Sequence, residues 1–311
     1  MNCLCCGKPL HGDEPSGWHR RCIRKFFGTA VIPKIDFDDE TLEQMAAENV
    51  RKGLTVPGVQ KKLSLHLFTE NRKPRMTIQD YPAGYILKPQ VRAFPSMPEA
   101  EQLTMCMADS CGISTVPHAL LLSGGSYAYI TRRVDRIPDG NTVRCLAMED
   151  FCQLDLRLTQ DKYKGSYERC AKIIRRYSSR PMLDLAELFI RLVFCYMTGN
   201  SDMHLKNFSL IEADGGYVLS PAYDLLPVNV IMPEDQETFA LTMNGKKTRI
   251  GKKDFLVFAE SAGISRKAAE KMIDRLKSEK EHLIAMCRES LLPEDLKDSF
   301  AALIEQRCMQ L

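Results

Sequence analysis

The sequence predicts an α+β protein with a sheet-rich N-terminal lobe and an all-helical C-terminal lobe, preceded by a small Cys/His knuckle. Three observations predict this class. Residues 1–28 are dense in cysteine, histidine and arginine, short apolar strands dominate residues 29–145, and longer apolar helices follow in residues 146–311. Strands and helices that are segregated along the chain are typical of α+β folds, and we expect a cleft between the two lobes.

The N-terminal lobe is predicted from five segments. "DDETLEQMAAENVRKG" predicts a helix ending at Gly53, and "LSLHLF" alternates leucines with polar residues, as a strand does. "GYILKP" and "YAYITRRVDR" are further short strands, the first of which ends at Lys88. "MPEAEQLTMCMADSCGI" predicts a helix with Leu103, Met107 and Cys111 on its core side.

The C-terminal lobe is predicted to be helical apart from one hairpin. "AMEDFCQLDL", "YERCAKIIRRYS" and "LDLAELFIRLVFCYMTG" all have helical periodicity. "FSLIEADGGYVLSPAYDLLPV" predicts a hairpin that turns at Gly215 and Gly216, and mostly helices follow it to Leu311.

Composition limits the function classes. The 311 residues are 44% apolar and 27% charged, and 43 lysines and arginines against 40 acids leave a net charge of only +3. Direct nucleic-acid binding is therefore not favoured. The N-terminus lacks a secretory pattern, and the longest apolar stretches are too short for a membrane span. We expect a cytoplasmic protein whose 12 cysteines are mostly reduced.

A polar cluster follows the apolar helix "LDLAELFIRLVFCYMTG". In "GNSDMHLKNFSL", Asp202 and Asn207 are five residues apart, as in the kinase loop where an aspartate accepts a hydroxyl proton and an asparagine holds Mg²⁺. Asp224 in "SPAYDLLP" lies just past the hairpin and suits the second metal ligand. These three residues are the predicted catalytic set.

A kinase also needs a phosphate contact upstream. Lys88 ends a strand and Glu101 lies in the next helix, so the pair suits the lysine and glutamate of a kinase N-lobe. The glycine turn in "TVPGVQKK" suits a loop that covers the nucleotide. Each part alone occurs often by chance, but the ordered set predicts a phosphotransferase that uses ATP and Mg²⁺.

These motifs resemble the HipA-type serine/threonine kinases, the toxins of bacterial toxin–antitoxin pairs. "PEAEQLTMCMADSCGI", "ITRRVDR", "MEDFCQL", "GNSDMHLKNFSL" and "SPAYDLLP" carry the resemblance, which runs from about residue 50 to the C-terminal helices. The resemblance implies a protein-kinase-like fold and transfer of a phosphoryl group to a serine or threonine of a host protein. The expected target is an aminoacyl-tRNA synthetase, whose modification would stall translation and growth.

The resemblance also implies roles for individual residues. Asp202 would be the catalytic base, with Asn207 and Asp224 on Mg²⁺. Arg132 to Val134 would form the hinge that offers backbone groups to adenine, although the family often has a glutamate at the position of Arg132. The implied nucleotide-site residues are Pro57, Gly58, Val59, Gln60, Lys61, Lys62, Lys88, Glu101, Arg132, Arg133, Val134, His204, Lys206 and Tyr223.

Thr55 falls where the family carries a serine that phosphorylates itself. The added phosphate would expel the phosphate-covering loop and silence the kinase. The alternative is that Thr55 is simply a polar loop residue.

Full-length family members carry an extra N-terminal subdomain before the phosphate loop, and this chain has only about fifty residues there. This is similar to the split form, in which a HipT-type kinase works with a separate HipS-like small protein and a HipB-like DNA-binding antitoxin. We therefore expect such partners, with DNA contacted only indirectly through the antitoxin.

The cysteine-rich start predicts a metal site. "CLCCGKPLHGDEPSGWHRRC" contains Cys3-x-x-Cys6 and His19-x-x-Cys22, two short-spaced ligand pairs that suit one tetrahedral Zn²⁺. Cys5 is a spare donor, as is His11. The alternative is reduced cysteines that pack beside Trp18 and Phe26. The basic residues that follow are predicted to form a solvated helix face rather than a nucleic-acid contact; they are Arg20, Arg21, Arg24 and Lys25.

Two rival functions remain. Small-molecule kinases of the aminoglycoside and choline type use D-x-H-x-x-N, which "DMHLKN" also satisfies, but they usually carry a histidine where this chain has Asn200. A catalytically inactive binding module is the second rival. The presence of Lys88, Asp202, Asn207 and Asp224 argues against it, since inactive kinases normally lose at least one of these groups.

Overall fold

The structure is a computed structural model that describes residues 2–10, 14, 17–35, 62–70, 73–77, 83–123, 125–139 and 142–311. The chain forms two compact units. The first comprises Met1–Cys106 and Val116–Cys145, and the second comprises Met107–Thr115 and Leu146–Leu311.

The first unit is built on a sheet. Its strands are β1 (Lys34–Ile35), β2 (Leu63–Glu70), β3 (Lys73–Thr77), β4 (Tyr85–Lys88), β5 (His118–Ser123), β6 (Ser126–Arg132), β7 (Arg136–Asp139) and β8 (Thr142–Cys145). The first six form one sheet in the order β1-β3-β2-β4-β6-β5, in which only the β1–β3 pair is parallel, and β7 pairs with β8. In β2, Leu63 and Leu65 are buried and Ser64 is exposed, as the alternation predicts.

Among the residues that the structure describes, two helices begin in this unit. They are α1 (Arg20–Phe27) and α2 (Met97–Ser110). Helix α1 ends at Gly28, whose φ of 71° lets its N–H close the last turn on Arg24. Helix α2 is buried along most of its length, which includes Leu103 and Met107, and its last residues from Met107 belong to the second unit.

The second unit is mainly helical. Its helices are α3 (Phe151–Leu154), α4 (Tyr167–Tyr177), α5 (Pro181–Thr198), α6 (Val228–Ile231), α7 (Lys252–Ser261), α8 (Arg266–Ser278), α9 (Lys280–Arg288) and α10 (Glu294–Gln310). A small sheet accompanies them, made of β9 (Met148–Asp150), β10 (Ser209–Ala213) and β11 (Gly216–Leu219) in the order β11-β10-β9. The β10–β11 turn includes Gly215, whose φ of 86° glycine adopts without steric cost.

Helix α5 is the central element of the second unit. Pro181 at its first turn has no N–H to satisfy there, and from Leu185 to Thr198 nearly every residue is buried. Phe189 and Tyr196 pack edge-to-face on Phe255 at ring distances of 6.3 and 5.4 Å. This packing fixes the end of α5, where the candidate catalytic loop begins.

The fold class predicted from the sequence is confirmed, with the three-stranded sheet as an addition to the helical C-terminal part. Strands are present in the predicted segments "LSLHLF", "GYILKP" and "YAYITRRVDR", and helices are present in "MPEAEQLTMCMADSCGI", "YERCAKIIRRYS" and "LDLAELFIRLVFCYMTG". One prediction was wrong in part. "AMEDFCQLDL" was predicted to be helical, but Met148–Asp150 is a strand because it pairs with β10, and only Phe151–Leu154 is a helix.

The predicted helix ending at Gly53 lies outside the described residues. Within the described ranges, none of the helices combines the length and the apolar character that crossing a membrane requires. The predicted division into 1–28, 29–145 and 146–311 stays a prediction.

Candidate active site and metal-ligand cluster

The candidate catalytic loop begins where α5 ends. Gly199 ends the helix with φ of 69°, and its N–H donates to the carbonyls of the last turn. The N–H of Asn200 donates to the Cys195 carbonyl at 2.8 Å, and the Ser201 hydroxyl donates to the Asp235 carboxylate at 2.6 Å. Asn200 and Ser201 are both buried. The loop is therefore anchored before it reaches its functional residues.

Asp202 is the exposed member of this loop. Its side chain is 46% exposed. The Tyr163 hydroxyl donates to its carboxylate at 3.0 Å. The Asp202 carbonyl accepts the N–H of His204 at 2.8 Å and the side-chain amide of Asn207 at 2.9 Å. A carboxylate of fixed position that faces solvent is what a base for an incoming hydroxyl requires.

The bond between Asn207 and Asp202 also orients the Asn207 amide. A carbonyl oxygen only accepts hydrogen bonds, so the NH₂ group of Asn207 must face Asp202 and its amide oxygen must face the other way. Asn207 is buried, which holds this orientation. An amide oxygen is a ligand that Mg²⁺ accepts, so the residue fits the predicted metal role in its donor chemistry.

Tyr163 and His204 pack against each other beside Asp202. Their rings meet edge-to-face with centroids 5.1 Å apart, and His204 is buried. Burial raises the pKa of the Tyr163 hydroxyl above its ordinary value, and the nearby negative charge of Asp202 raises it further. The phenol is therefore held as a hydrogen-bond donor to Asp202. Sequence reasoning did not identify Tyr163, because it lies 39 positions before Asp202.

Lys206 makes a contact that sequence reasoning also missed. Its ammonium lies 2.6 Å from the carboxylate of Asp150. The same carboxylate accepts the N–H of Gln153 at 2.9 Å, and the Gln153 side chain accepts the N–H of Asp150 at 3.0 Å, which together form a capping box on α3. D-x-x-Q before an apolar residue is a readable capping signal, so "MEDFCQ" could have predicted the cap.

Tyr223 anchors the segment before Asp224. Its hydroxyl donates to the Lys206 carbonyl at 3.0 Å and lies 2.6 Å from the Ser209 hydroxyl. Burial raises the pKa of the Tyr223 hydroxyl well above its usual range. The predicted stacking of this ring on a nucleotide stays a prediction, whereas its contact with the catalytic loop is observed.

Asp224 has an unusual backbone conformation. Its φ of 56° lies in the left-handed region, which aspartate tolerates better than most residues other than glycine. The N–H of Ala222 donates to the Ser114 carbonyl at 2.7 Å, which ties the preceding residues to the 107–115 segment of the same unit. Such a conformation turns the Asp224 side chain in a direction that a regular strand would not provide.

The first unit contains a deeply buried ion pair. Lys88 at the end of β4 and Glu101 in α2 are joined at 2.5 Å, and their side chains are 4% and 1% exposed. The Lys88 ammonium also lies 5.2 Å from the centre of the Tyr129 ring. The pairing that the sequence predicted between these two residues is therefore present, while its role toward phosphates stays a prediction.

The predicted hinge residues follow β6. The N–H of Arg132 donates to the Pro117 carbonyl and that of Arg133 donates to the Gly84 carbonyl, both at 2.9 Å. The Arg133 guanidinium makes a bidentate contact with Asp135 at 3.0 and 2.7 Å. An adenine contact from this segment would therefore use carbonyl oxygens or the N–H of Val134.

The predicted phosphate-covering loop lies mostly outside the described residues. Thr55 and Pro57, Gly58, Val59, Gln60 and Lys61 all fall in that part of the chain. Lys62 is described, is half-buried and directly precedes β2.

The four predicted metal ligands come together at the N-terminus. The ligand atoms of Cys3, Cys6, His19 and Cys22 all lie within 4.8 Å of one another. Cys5 is not one of these four residues, and its sulfur lies 3.8 Å from the His118 carbonyl oxygen. Such a group could hold a metal ion.

Two other predictions for the N-terminal segment concern a spare metal donor and the basic face of α1. His11, the other spare donor, lies outside the described residues. Four basic residues of α1 are exposed, as a solvated helix face requires; they are Arg20, Arg21, Arg24 and Lys25.

Comparison with known proteins identifies the family. A profile of the HipA-like C-terminal domain matches residues 54–283, which is most of the chain. The chain belongs to the HipA-like family. The resemblance predicted from the sequence motifs is thereby confirmed at the level of the family.

Two relatives and one solved structure illustrate the match. The chain is 29% identical over 231 residues to "Putative kinase Y4mE" of Sinorhizobium fredii, covering 72% of this chain and 54% of that protein. It is 27% identical to "Serine/threonine-protein kinase toxin HipA" of Shewanella oneidensis, covering 69% of this chain and 52% of that protein. The chain thus spans about half the length of these two relatives.

The solved structure supports the fold. It is the HipA, HipB and operator DNA complex of the Shewanella oneidensis MR-1 toxin–antitoxin system, matched with a TM-score of 0.69 at 20% identity. The match covers 97% of this chain and 74% of the solved chain. At this identity the likeness shows a shared fold.

Proposed function

We propose that this HipA-like chain is an ATP- and Mg²⁺-dependent serine/threonine protein kinase. The observation that carries the proposal is the geometry at Asp202. An exposed carboxylate is fixed by the Tyr163 hydroxyl, and the carbonyl of the same residue orients the Asn207 amide. Asp202 thereby supplies the base and also orients a candidate metal ligand. Phosphoryl transfer requires that both of these groups be held in position.

In this proposal Asp202 orients the substrate hydroxyl and accepts its proton. The hydroxyl oxygen bonds to the γ-phosphorus as the bond between that phosphorus and the β,γ-bridging oxygen breaks, and ADP leaves. Tyr163 keeps the Asp202 carboxylate in place during the transfer, because its own hydroxyl stays protonated.

The cofactor roles follow from the donor chemistry. Asn207 and Asp224 supply the oxygen ligands that suit Mg²⁺, an ion that neutralises phosphate charge when bound. Lys88, kept in position by Glu101, would contact the phosphates.

The test is phosphoryl transfer from radiolabelled ATP in the presence of Mg²⁺, with bacterial lysate as the acceptor. Asp202→Asn keeps the size of the side chain and removes its basicity, so we expect transfer to fall by roughly 10²–10⁴-fold. Asp214→Asn is the matched control, since Asp214 is an exposed aspartate in the β10–β11 turn. Equal activity of Asp202→Asn and wild type would exclude Asp202 as the base.

We further propose that the chain acts as the toxin of a toxin–antitoxin pair, with a HipB-like antitoxin as its partner. Support comes from its membership of the HipA-like family and from the named toxin among its relatives. Mass spectrometry of labelled lysate bands would identify the acceptor, for which an aminoacyl-tRNA synthetase is the expected class. Label on choline or an aminoglycoside alone would favour the small-molecule kinase.

Two proposals concern regulation and assembly. Phosphate on Thr55 after incubation with ATP would support silencing by autophosphorylation, and active protein without it would exclude that role. Co-purification with a separate HipS-like small protein would support the split arrangement.

A further inference from the structure

We propose that Cys3, Cys6, His19 and Cys22 hold one structural Zn²⁺, and that the loaded cluster anchors the start of helix α2 beside Glu101. The site is separate from the catalytic loop, so it goes beyond the kinase proposal. Four steps support it: the spacing of the ligand atoms, the orientation of the histidine, the burial of the site, and the hydrogen bonds that leave it.

The spacing of the ligand atoms suits a tetrahedral ion. Zinc–sulfur bonds of about 2.3 Å and zinc–nitrogen bonds of about 2.0 Å place neighbouring ligand atoms roughly 3.5–3.8 Å apart. His19 Nδ1 lies 3.3 Å from the sulfur of Cys6 and 3.8 Å from that of Cys22, and all four ligand atoms lie within 4.8 Å of one another.

The orientation of His19 is fixed for metal binding. Its Nε2 lies 2.9 Å from the Pro9 carbonyl oxygen, which can only accept a hydrogen bond. Nε2 must therefore carry the proton, and the lone pair of Nδ1 faces the three cysteines. A backbone carbonyl that holds the outer nitrogen in this way is typical of metal-bound histidines. The carboxylate of Glu14 lies 3.8 Å from the same Nε2 and favours the same proton position.

The site is built from two elements and is mostly buried. Cys3 and Cys6 lie in a turn where the N–H of Gly7 donates to the Cys3 carbonyl, and His19 and Cys22 lie at the start of α1. Cys3, His19 and Cys22 are buried, and Cys6 is half-buried. Three thiols and one imidazole, with no carboxylate among the four ligands, select a soft ion such as Zn²⁺.

The cysteine turn is hydrogen-bonded directly to α2. The Cys5 carbonyl accepts a hydrogen bond from the side-chain NH₂ group of Gln102 at 2.9 Å, and the side-chain oxygen Oε1 of Gln102 lies 2.8 Å from His118 Nδ1. Gln102 follows Glu101, whose carboxylate holds Lys88. A metal that fixes Cys3 and Cys6 thereby fixes the carbonyl between them, and with it the turn of α2 that presents Glu101.

A second set of contacts joins the knuckle to the edge strand β5. The N–H of Leu120 donates to the Leu4 carbonyl at 2.8 Å, and the indole N–H of Trp18 donates to the Leu120 carbonyl at 3.2 Å. Trp18 is fully buried and packs on Phe26 with ring centres 5.6 Å apart. The knuckle therefore covers an edge that would otherwise be open to pairing. Trp18 is also the one tryptophan of the chain, so its fluorescence reports on this contact alone.

The first experiment measures metal in the purified full-length chain by mass spectrometry. We expect about one equivalent of zinc, because one tetrahedral ion uses all four ligands. Cys22→Ser should lose the metal, and His19→Cys should keep it, since four ligands remain. Cys5→Ser is the matched control and should also keep it. A wild-type zinc content below about a tenth of an equivalent, together with failure of metal-free protein to compete for Zn²⁺ with a chromophoric chelator, overturns the proposal.

The second experiment tests the anchoring without using kinase activity. Zinc is removed from wild-type protein with a chelator, and hydrogen exchange and Trp18 fluorescence are followed. We expect roughly tenfold or faster exchange in residues 97–106 and 118–123, a red shift of Trp18 emission, and unchanged exchange in α8 of the second unit. Re-addition of Zn²⁺ should reverse both changes. Unchanged hydrogen exchange in residues 97–106 after full zinc removal would exclude the anchoring role. The zinc content and the exchange rates are both measured without kinase activity, so a failed kinase assay would leave these two results unaffected.

Discussion

Two of the lysine–carboxylate pairs have almost equal length but lie in very different surroundings. Lys88 and Glu101 in the first unit are joined at 2.5 Å with side chains 4% and 1% exposed. Lys206 and Asp150 in the second unit are joined at 2.6 Å with side chains 29% and 14% exposed. Equal distance does not mean equal importance, because water screens the second pair and hardly reaches the first.

The two carboxylates also differ in their other contacts and in their surroundings. Asp150 accepts the N–H of Gln153 as a helix cap besides contacting Lys206. Glu101 lies on a buried helix and faces a buried ammonium. Burial of a charge pair is costly in itself, so a chain that keeps one at the end of a strand has a reason other than stability. Phosphate binding by Lys88 would be such a reason.

The largest expected effect is from Glu101→Ala. Removing the carboxylate that contacts Lys88 in a buried site should lower the free energy of unfolding by about 3–5 kcal/mol. The double variant Lys88→Met/Glu101→Leu removes both charges and should recover most of that loss while still failing to bind ATP. Urea denaturation and ATP titration measure the two quantities. A double variant as unstable as the single one would show that packing, and not charge, is responsible.

Asp150→Ala should have the next largest effect. It removes the cap of α3 and the contact with Lys206, so the free energy of unfolding should fall by about 1–2 kcal/mol. Denaturation followed by circular dichroism measures this. A loss equal to that of Glu101→Ala would contradict the ranking by burial.

Asp150→Asn separates the two roles of this residue. Asparagine caps helices as well as aspartate does but carries no charge, so only the Lys206 contact should weaken, at a cost of less than about 1 kcal/mol. Lys206→Met should match it in the same denaturation assay. If Asp150→Asn were as unstable as Asp150→Ala, the ion pair would outweigh the cap.

The smallest effect is expected from Tyr163→Phe, and it depends on pH. The pKa of Tyr163 is raised by burial and by Asp202, so the folded chain keeps this proton when the unfolded chain releases it. The contribution of Tyr163 is therefore fully present below the unfolded pKa of about 10 and decreases as pH rises above it. Melting temperatures of the wild type and Tyr163→Phe are measured near neutrality and in strong alkali. The melting temperature of the wild type should fall more between the two conditions than that of the variant. Parallel pH profiles would contradict this.

Local patterns in the sequence predicted much of the fold. The alternation at Leu63 and Leu65 predicts a strand because side chains alternate across a sheet, and Cys3-x-x-Cys6 predicts a ligand pair because short spacing brings both sulfurs to one turn. Lys88 and Glu101 were predicted to pair because a kinase N-lobe pairs a strand lysine with a helix glutamate, and these two residues fall on a strand and on the next helix.

Contacts that depend on tertiary packing could not be predicted in this way. Lys206 meets Asp150 across 56 positions, and Tyr163 reaches Asp202 only because α4 and α5 pack as they do. The left-handed backbone of Asp224 has no local sequence signal either, since aspartate also occurs in ordinary loops. "AMEDFCQLDL" was interpreted as a helix from its local periodicity. This was wrong for Met148–Asp150, because their strand pairing with β10 overrides that periodicity.

Gly199 links the far end of the chain to the catalytic loop. Its left-handed φ already disfavours other residues, and a Cβ at this position would also collide with the side chain of Leu303 in α10. Even alanine would therefore fit only if the side chain of Leu303, about a hundred residues further along the chain, moved aside. In an unbiased mutational screen for inactive variants, position 199 should appear beside Asp202, although glycine offers the reaction no chemical group of its own.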